Sequence, residues 1–102
     1  MEIKGLWESE KAPQKVYVVT EYCCDDYTPI IHTIVCASYL EAHFEFKDIV
    51  EEIKKACQDC IDDTDNYVCE EEDDYFDLYE DGDAANFERN VWISETKVVS
   101  YT

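Results

Sequence analysis

Apolar and polar residues alternate in one rhythm at the two ends of this chain and in another across its middle. Lys15 to Tyr22 (KVYVVTEY) and Ile30 to Ala37 (IIHTIVCA) are dense in β-branched and aromatic residues, with Asp25-Asp26-Tyr27-Thr28-Pro29 between them. That composition reads as an antiparallel hairpin. Ser38, followed three positions later by Glu41, has the form of a capping box, so a helix is predicted to open there. It runs to about Cys60, because Ala42, Phe46, Ile49, Ile53, Ala56 and Cys60 recur at spacings of three and four and make one apolar stripe. Glu45, Asp48, Glu52 and Lys55 form its solvated side, and Phe44 falls off the stripe, either packed on the residues before the hairpin or exposed.

Beyond the helix the pattern is weaker. Tyr67, Val68, Tyr75, Phe76 and Tyr79 permit a second, shorter helix ending before Gly82, a left-handed stop. Asp is a poor helix former, and Glu80 and Asp81 would sit at the negative end of the helix dipole, so an extended or irregular segment competes with that reading. Strand-type composition returns at Asn90 to Ser94 (NVWIS) and Lys97 to Tyr101 (KVVSY), as one bent strand or a hairpin around Glu95-Thr96. Residues 1–14 read as a lead-in, with Ile3, Leu6 and Trp7 covering an end of the core and Pro13 interrupting regular structure.

These elements predict a single α+β domain over residues 1–102, an antiparallel sheet packed on one main helix in the order ββα(α)β or ββα(α)ββ. Phe46, Ile49 and Ile53 are expected to face a sheet containing Val16, Val18, Ile34 and Trp92 or its neighbours. No internal repeat is visible.

Composition adds a folded core and a lopsided charge. With 46% hydrophobic and 14% aromatic residues, the chain lacks the signature of disorder. Twenty-six acids against eight basic residues give a net charge of −18. Half of those acids, thirteen, lie between Asp59 and Asp83, where there is no Lys or Arg. So focused a field repels itself and suits a cationic partner. It disfavours direct contact with nucleic acid or anionic lipid, which are polyanions themselves. A protein with a basic face is the expected partner.

No run of about 18 apolar residues is present, and the start, Met1-Glu2-Ile3-Lys4-Gly5, lacks the basic and then apolar regions of a signal peptide, so a cytoplasmic protein is expected. In a reducing compartment Cys23, Cys24, Cys36, Cys57, Cys60 and Cys69 are expected as free thiols.

The candidate partner-binding residues are Asp62, Asp63, Asp65, Glu70, Glu71, Glu72, Asp73, Asp74, Asp77, Glu80, Asp81 and Asp83, with Tyr75 and Tyr79 among them. In a helix, Glu70 to Asp74 would form a dense row about 6 Å apart at i and i+4; in a strand they would alternate between two faces. Such a row imitates the phosphates of a duplex on a pocket built for Lys and Arg, and interleaved aromatics supply anchors. The plain alternative is a solvated acidic loop, as most charge runs are; the interleaved Tyr and Phe favour the interaction reading.

Other chemistry finds less support. Cys57-Gln58-Asp59-Cys60 is a lone CxxC, which with Cys69 or His43 could complete a zinc site, yet it lacks the second pair of strong zinc sequences. It also lies at a predicted helix end, where the dipole does not lower a thiol pKa as redox use requires. Asp63 to Val68 fails as a calcium loop, with Tyr67 at position 5 and Val68 where glycine is needed. His32 and His43 have no nucleophile motif near them, and two glycines cannot build a phosphate cradle. No enzyme activity and no cofactor are expected.

Through Asp59 to Asp83 on an α+β frame, the chain resembles the small acidic proteins with which phages and other viruses block host defence nucleases, the DNA mimics of the anti-CRISPR and anti-restriction type. The resemblance implies that Glu70 to Asp74, Asp77, Glu80, Asp81 and Asp83 occupy a basic nucleic-acid channel of a nuclease or its complex in the host cytoplasm. An acidic structural, assembly or adaptor protein binding a basic subunit is the alternative. A cysteine-based metal-binding protein is the third.

Overall fold

Two β-branched runs form the first large hairpin, and it is longer than their composition predicts. The computed structural model describes residues 3–4, 15–82 and 86–99. After a short β1 (Ile3–Lys4), β2 (Lys15–Asp25) and β3 (Thr28–Cys36) pair antiparallel from Tyr17 opposite Cys36 to Asp25 opposite Thr28. Only Asp26 and Tyr27 make the turn, both left-handed at φ 50° and 65°. This mirror-image turn matches the right-handed twist of the strands, which lets Cys23, Cys24 and Pro29 join the ladder.

Helix α1 (Tyr39–Ala56) opens at Ser38, whose hydroxyl accepts from the Glu41 N–H at 3.2 Å, while a Glu41 carboxylate oxygen accepts from the Ala37 N–H at 3.4 Å. The buried stripe is Ala42, Phe46, Val50 and Ile53; Ile49 is half-buried and Ala56 exposed. The single helix expected to Cys60 breaks at Cys57, whose φ of −117° and ψ of 25° leave the helical region, and α2 (Gln58–Asp62) follows. That bend turns both Cys57 and Cys60 onto the core.

Of the two readings open for the acidic segment, a short helix ending before Gly82 or an extended stretch, the extended one holds: the segment is a hairpin, β4 (Tyr67–Glu71) and β5 (Tyr75–Glu80). Period two decides it: Phe76 and Leu78 are both fully buried, and Leu78 was absent from the helical pattern. Residues 88–99 make one strand, β6 (Glu88–Val99), rather than a hairpin at Glu95-Thr96.

The result is α+β, an antiparallel sheet packed on one main helix. Strand order is β3-β2-β6-β5-β4, with β1 parallel to the far end of β6. Three strands follow the helices, one more than the longer predicted order allows. Val19, Phe76, Leu78 and Val91 face the α1 stripe and form the core with it. Val16, Val18 and Trp92 do not, because strand alternation turns them to the other face. There Val16 and Val18 are buried all the same, and Trp92 is 39% exposed. Ile34, at the sheet edge, is 37% exposed. Leu6, Trp7, Pro13, Asp83 and Tyr101 lie outside the described residues.

Candidate functional site

The β4–β5 hairpin divides the predicted acidic row into three places. On the sheet face away from α1, Glu70 stands opposite Asp77 and Val68 opposite Tyr79; β6 continues the same face with Trp92 opposite Tyr75, Asn90 opposite Asp77 and Glu88 opposite Tyr79. Tyr22, opposite Asn90, extends it onto β2. Like charges directly across a ladder repel. Asp77 is steadied by the Asn90 side-chain amide, which donates to it at 2.7 Å.

The second place is the tip. Glu72, Asp73 and Asp74 are exposed; Asp73 and Asp74 make a two-residue turn, closed by the Glu72 N–H donating to the Tyr75 carbonyl at 2.8 Å. The Asp74 carbonyl accepts from the Ile93 N–H at 3.0 Å, fixing the tip to the central strand. Tyr75 records the local field: its burial first, then the carboxylates of Glu72, Glu70, Asp77 and Asp74, push its phenol above the ordinary tyrosine value.

The remaining acids gather at the opposite end of the hairpin. Asp63 accepts from the Asn66 side chain at 3.0 Å, Asp62 from Gln58 at 2.9 Å, and the Asp81 N–H donates to the Asn66 carbonyl at 2.8 Å. Asp65 is exposed, and Glu80 accepts from the Asn86 N–H at 3.3 Å. At about 3.4 Å per residue, the length of β4 separates this group from the tip by roughly 15 Å.

Cations barely enter the picture. Among the described residues, only Glu71 of the candidate acids is ion-paired, with Lys54 of α1 at 2.6 Å. Glu71, still exposed, lies on the helix side of β4, opposite the face that carries Glu70. The aromatic residues also part company: Phe76 closes the core, while Tyr75 and Tyr79 stay half-buried on the acidic face. Tyr79 lines a recess of about 200 Å³ with Tyr27, Asn86 and Glu88.

Trp92, Tyr22, Glu88 and Asn90 were missed by sequence reasoning. The signal was present in NVWIS, where inward Val91 and Ile93 force Trp92 outward beside the acids.

All six cysteines are unbridged, and burial, as the first cause, raises the Cys57 thiol, which disfavours the nucleophilic thiolate. His32 lies exposed on β3, and His43 stacks between Tyr39 and Phe46 at ring distances of 5.8 and 6.3 Å. Among the described residues no three His, Cys, Asp or Glu side chains come together to hold a metal, and no helix is long and apolar enough to cross a membrane.

No family model, curated protein or solved structure matches the chain.

Proposed function

We propose that the β4–β5 hairpin binds the nucleic-acid site of a basic, nucleic-acid-handling protein by imitating phosphate charge, and that the chain is a viral inhibitor of a host defence nuclease. One observation carries this reading: Glu70, Glu72, Asp74 and Asp77 crowd around Tyr75 on a short, tightly tied hairpin with Asp73 exposed at its tip, and among the described residues none of them has a cationic partner. A fold gains nothing from such crowding, since like charges on adjacent strands cost stability.

The rigid frame matters to the mechanism. Carboxylates two positions apart on one strand lie about 6.8 Å apart, and direct cross-strand neighbours about 5 Å. That spacing is comparable to the close phosphate array of a duplex, and the ladder holds it without the entropy cost of ordering a loose acidic tail. Tyr75, Tyr79 and Trp92 give the same face flat apolar surface, which fixes orientation where charge alone would only attract. Binding equilibrates against counterions on the target's Lys and Arg, so salt should weaken it steeply.

The test is displacement. Protein retained by the immobilised chain from its native host is loaded with a labelled duplex, and the chain is titrated in. Stoichiometric release that disappears in the Glu70→Gln, Glu72→Gln, Asp73→Asn, Asp74→Asn variant supports mimicry. Capture without release would instead identify an assembly or adaptor protein.

A further inference from the structure

We infer that the edge of β3, unpaired among the described residues, is a self-association surface, on which a second copy of this chain pairs antiparallel about a two-fold axis at Thr33. The two edges of the sheet are built in opposite ways. At one, β4 carries Glu70 and Glu71 and ends in Glu72-Asp73-Asp74, the charged protection usual for an exposed strand. At the other, eight of the nine β3 residues are exposed, and the stretch from Tyr27 to Leu40 contains no Asp, Glu, Lys or Arg in a chain that is one-third charged. Ile30 and Ile31 are 51% and 63% exposed.

The hydrogen-bond phase of the sheet fixes which backbone groups of β3 are free. The Ile93 N–H bonds the Asp74 carbonyl and the Glu80 N–H bonds the Phe87 carbonyl, so the odd-numbered residues of β6 bond β5. Alternation through β6 and β2 then gives Thr28, Ile30, His32, Ile34 and Cys36 to β2, and leaves Ile31, Thr33 and Val35 pointing outward. Pro29, also outward, has no N–H to leave unpaired. Thr33 is the middle of the outward set. A two-fold axis there sets Thr33 against its copy and Ile31 against Val35 of the other chain, an isologous contact in which each apolar side chain meets another.

The helix completes the surface. Such an axis runs perpendicular to the sheet and brings both copies of α1 to the same side, where Leu40 and Phe44 are 78% and 70% exposed. With Ile34 and Cys36 they line an apolar recess of about 580 Å³ rimmed by Glu41 and Glu45. The exposed parts of Ile30, Ile31, Ile34, Val35, Tyr39, Leu40 and Phe44 amount to something on the order of 600 Å² per copy, approaching the ~800 Å² that each partner gives a standard interface. The acidic hairpin is at the far edge of the sheet, so pairing at β3 keeps the two strongest like charges apart. It also yields one continuous sheet with an acidic hairpin at each end.

Sedimentation equilibrium of the full chain tests this. A dimer of the 12.0 kDa chain is expected, strengthened by added salt because screening relieves repulsion between two copies of charge −18. Salt acts in the opposite sense on the acidic hairpin's binding to a cationic protein, so the two surfaces fail distinguishably. Thr33→Pro removes an outward N–H without touching the β2 ladder and should shift the equilibrium at least tenfold toward monomer, with an unchanged circular dichroism spectrum. If that variant does not fold, hydrogen exchange of the native chain decides: the Ile31, Thr33 and Val35 amides should gain protection as concentration rises. A monomer at about 100 µM, far above the micromolar constants that weak interfaces of this class show, overturns the proposal. Exchange at these amides that does not depend on concentration, or protection that appears only on adding a different protein, overturns it as well.

Discussion

The Lys54 ammonium lies 2.6 Å from the Glu71 carboxylate, and through it the main helix holds the one strand of the acidic edge. Both side chains are partly exposed, at 36% and 43%, so the pair resembles a surface ion pair rather than a buried one. Lys54→Met should therefore cost no more than about 1 kcal/mol in a denaturant titration, and less in high salt. Its hydrogen bond to Glu71, the largest cause, raises the Lys54 pKa above 10.5. The folded state then holds its proton more tightly than the unfolded chain, so this contribution is whole below pH 10.5 and is lost as pH climbs through the folded value. A Lys54→Met chain should accordingly lose less stability than the native chain between neutral and strongly alkaline pH.

The core should respond far more strongly. Ile53 is 6% exposed and Phe76 fully buried, and they belong to one cluster spanning the helix and the sheet. Ile53→Ala should cost roughly 2–5 kcal/mol and Phe76→Ala roughly 3–5 kcal/mol. Trp92→Ala, on the opposite face, should cost clearly less than Phe76→Ala. Equal losses for Trp92 and Phe76 in urea titrations would mean that the face assignment is wrong.

Tyr75 offers a spectroscopic reading of the field. Its phenol is raised by burial and then by Glu72, Glu70, Asp77 and Asp74. Tyr22 and Tyr67 are raised as well, so ultraviolet titration should find three tyrosines ionising above the ordinary range, of which the Tyr75 component is moved downward by Glu72→Gln with Glu70→Gln, and downward by salt, yet not fully restored because burial remains. The raised value favours the neutral folded form, so this linkage destabilises the fold only as pH rises above the unfolded value of about 10. An unchanged titration in the double variant would show that those carboxylates do not converge on Tyr75.

Much of this fold was legible because two rules spoke loudly. The Ser38–Glu41 cap fixed where α1 opens, and the β-branched runs located β2 and β3. The hairpin of β4 and β5 was obscured by its own charge. Glu and Asp satisfy neither a helical nor a strand pattern by polarity alone, and Tyr75 and Tyr79, spaced by four, imitate a helix stripe while lying on one strand face. Phe76 and Leu78 held the answer, since a strand of two buried apolar residues spaced by two needs nothing else. Of the site, the acids were readable as a segment; their division among face, tip and far end depends on register, which sequence does not print. Trp92 and Tyr22 join the acidic face only through pairing between strands distant in the chain, and such non-local contacts leave no local trace.

Anchor and charge on the acidic face should fail in different ways. Tyr79→Ala or Trp92→Ala should speed dissociation from the captured partner severalfold with little change in association, because a desolvated ring holds the docked state. Asp73→Asn with Asp74→Asn should mainly slow association, because exposed charge at the tip steers encounter. Surface-binding kinetics separate the two, and silence of every aromatic variant would reduce the face to a diffuse brush of charge.

The central claim is that the β4–β5 hairpin takes the place of nucleic acid on a basic protein. Competition between the chain and a labelled duplex for the protein it captures, followed by fluorescence anisotropy at rising salt, measures it directly. The account predicts one-for-one displacement of the duplex, weakening steeply with salt and abolished when Glu70, Glu72, Asp73 and Asp74 are neutralised. A ternary complex in which duplex and chain bind together, or displacement that survives neutralisation, would contradict it.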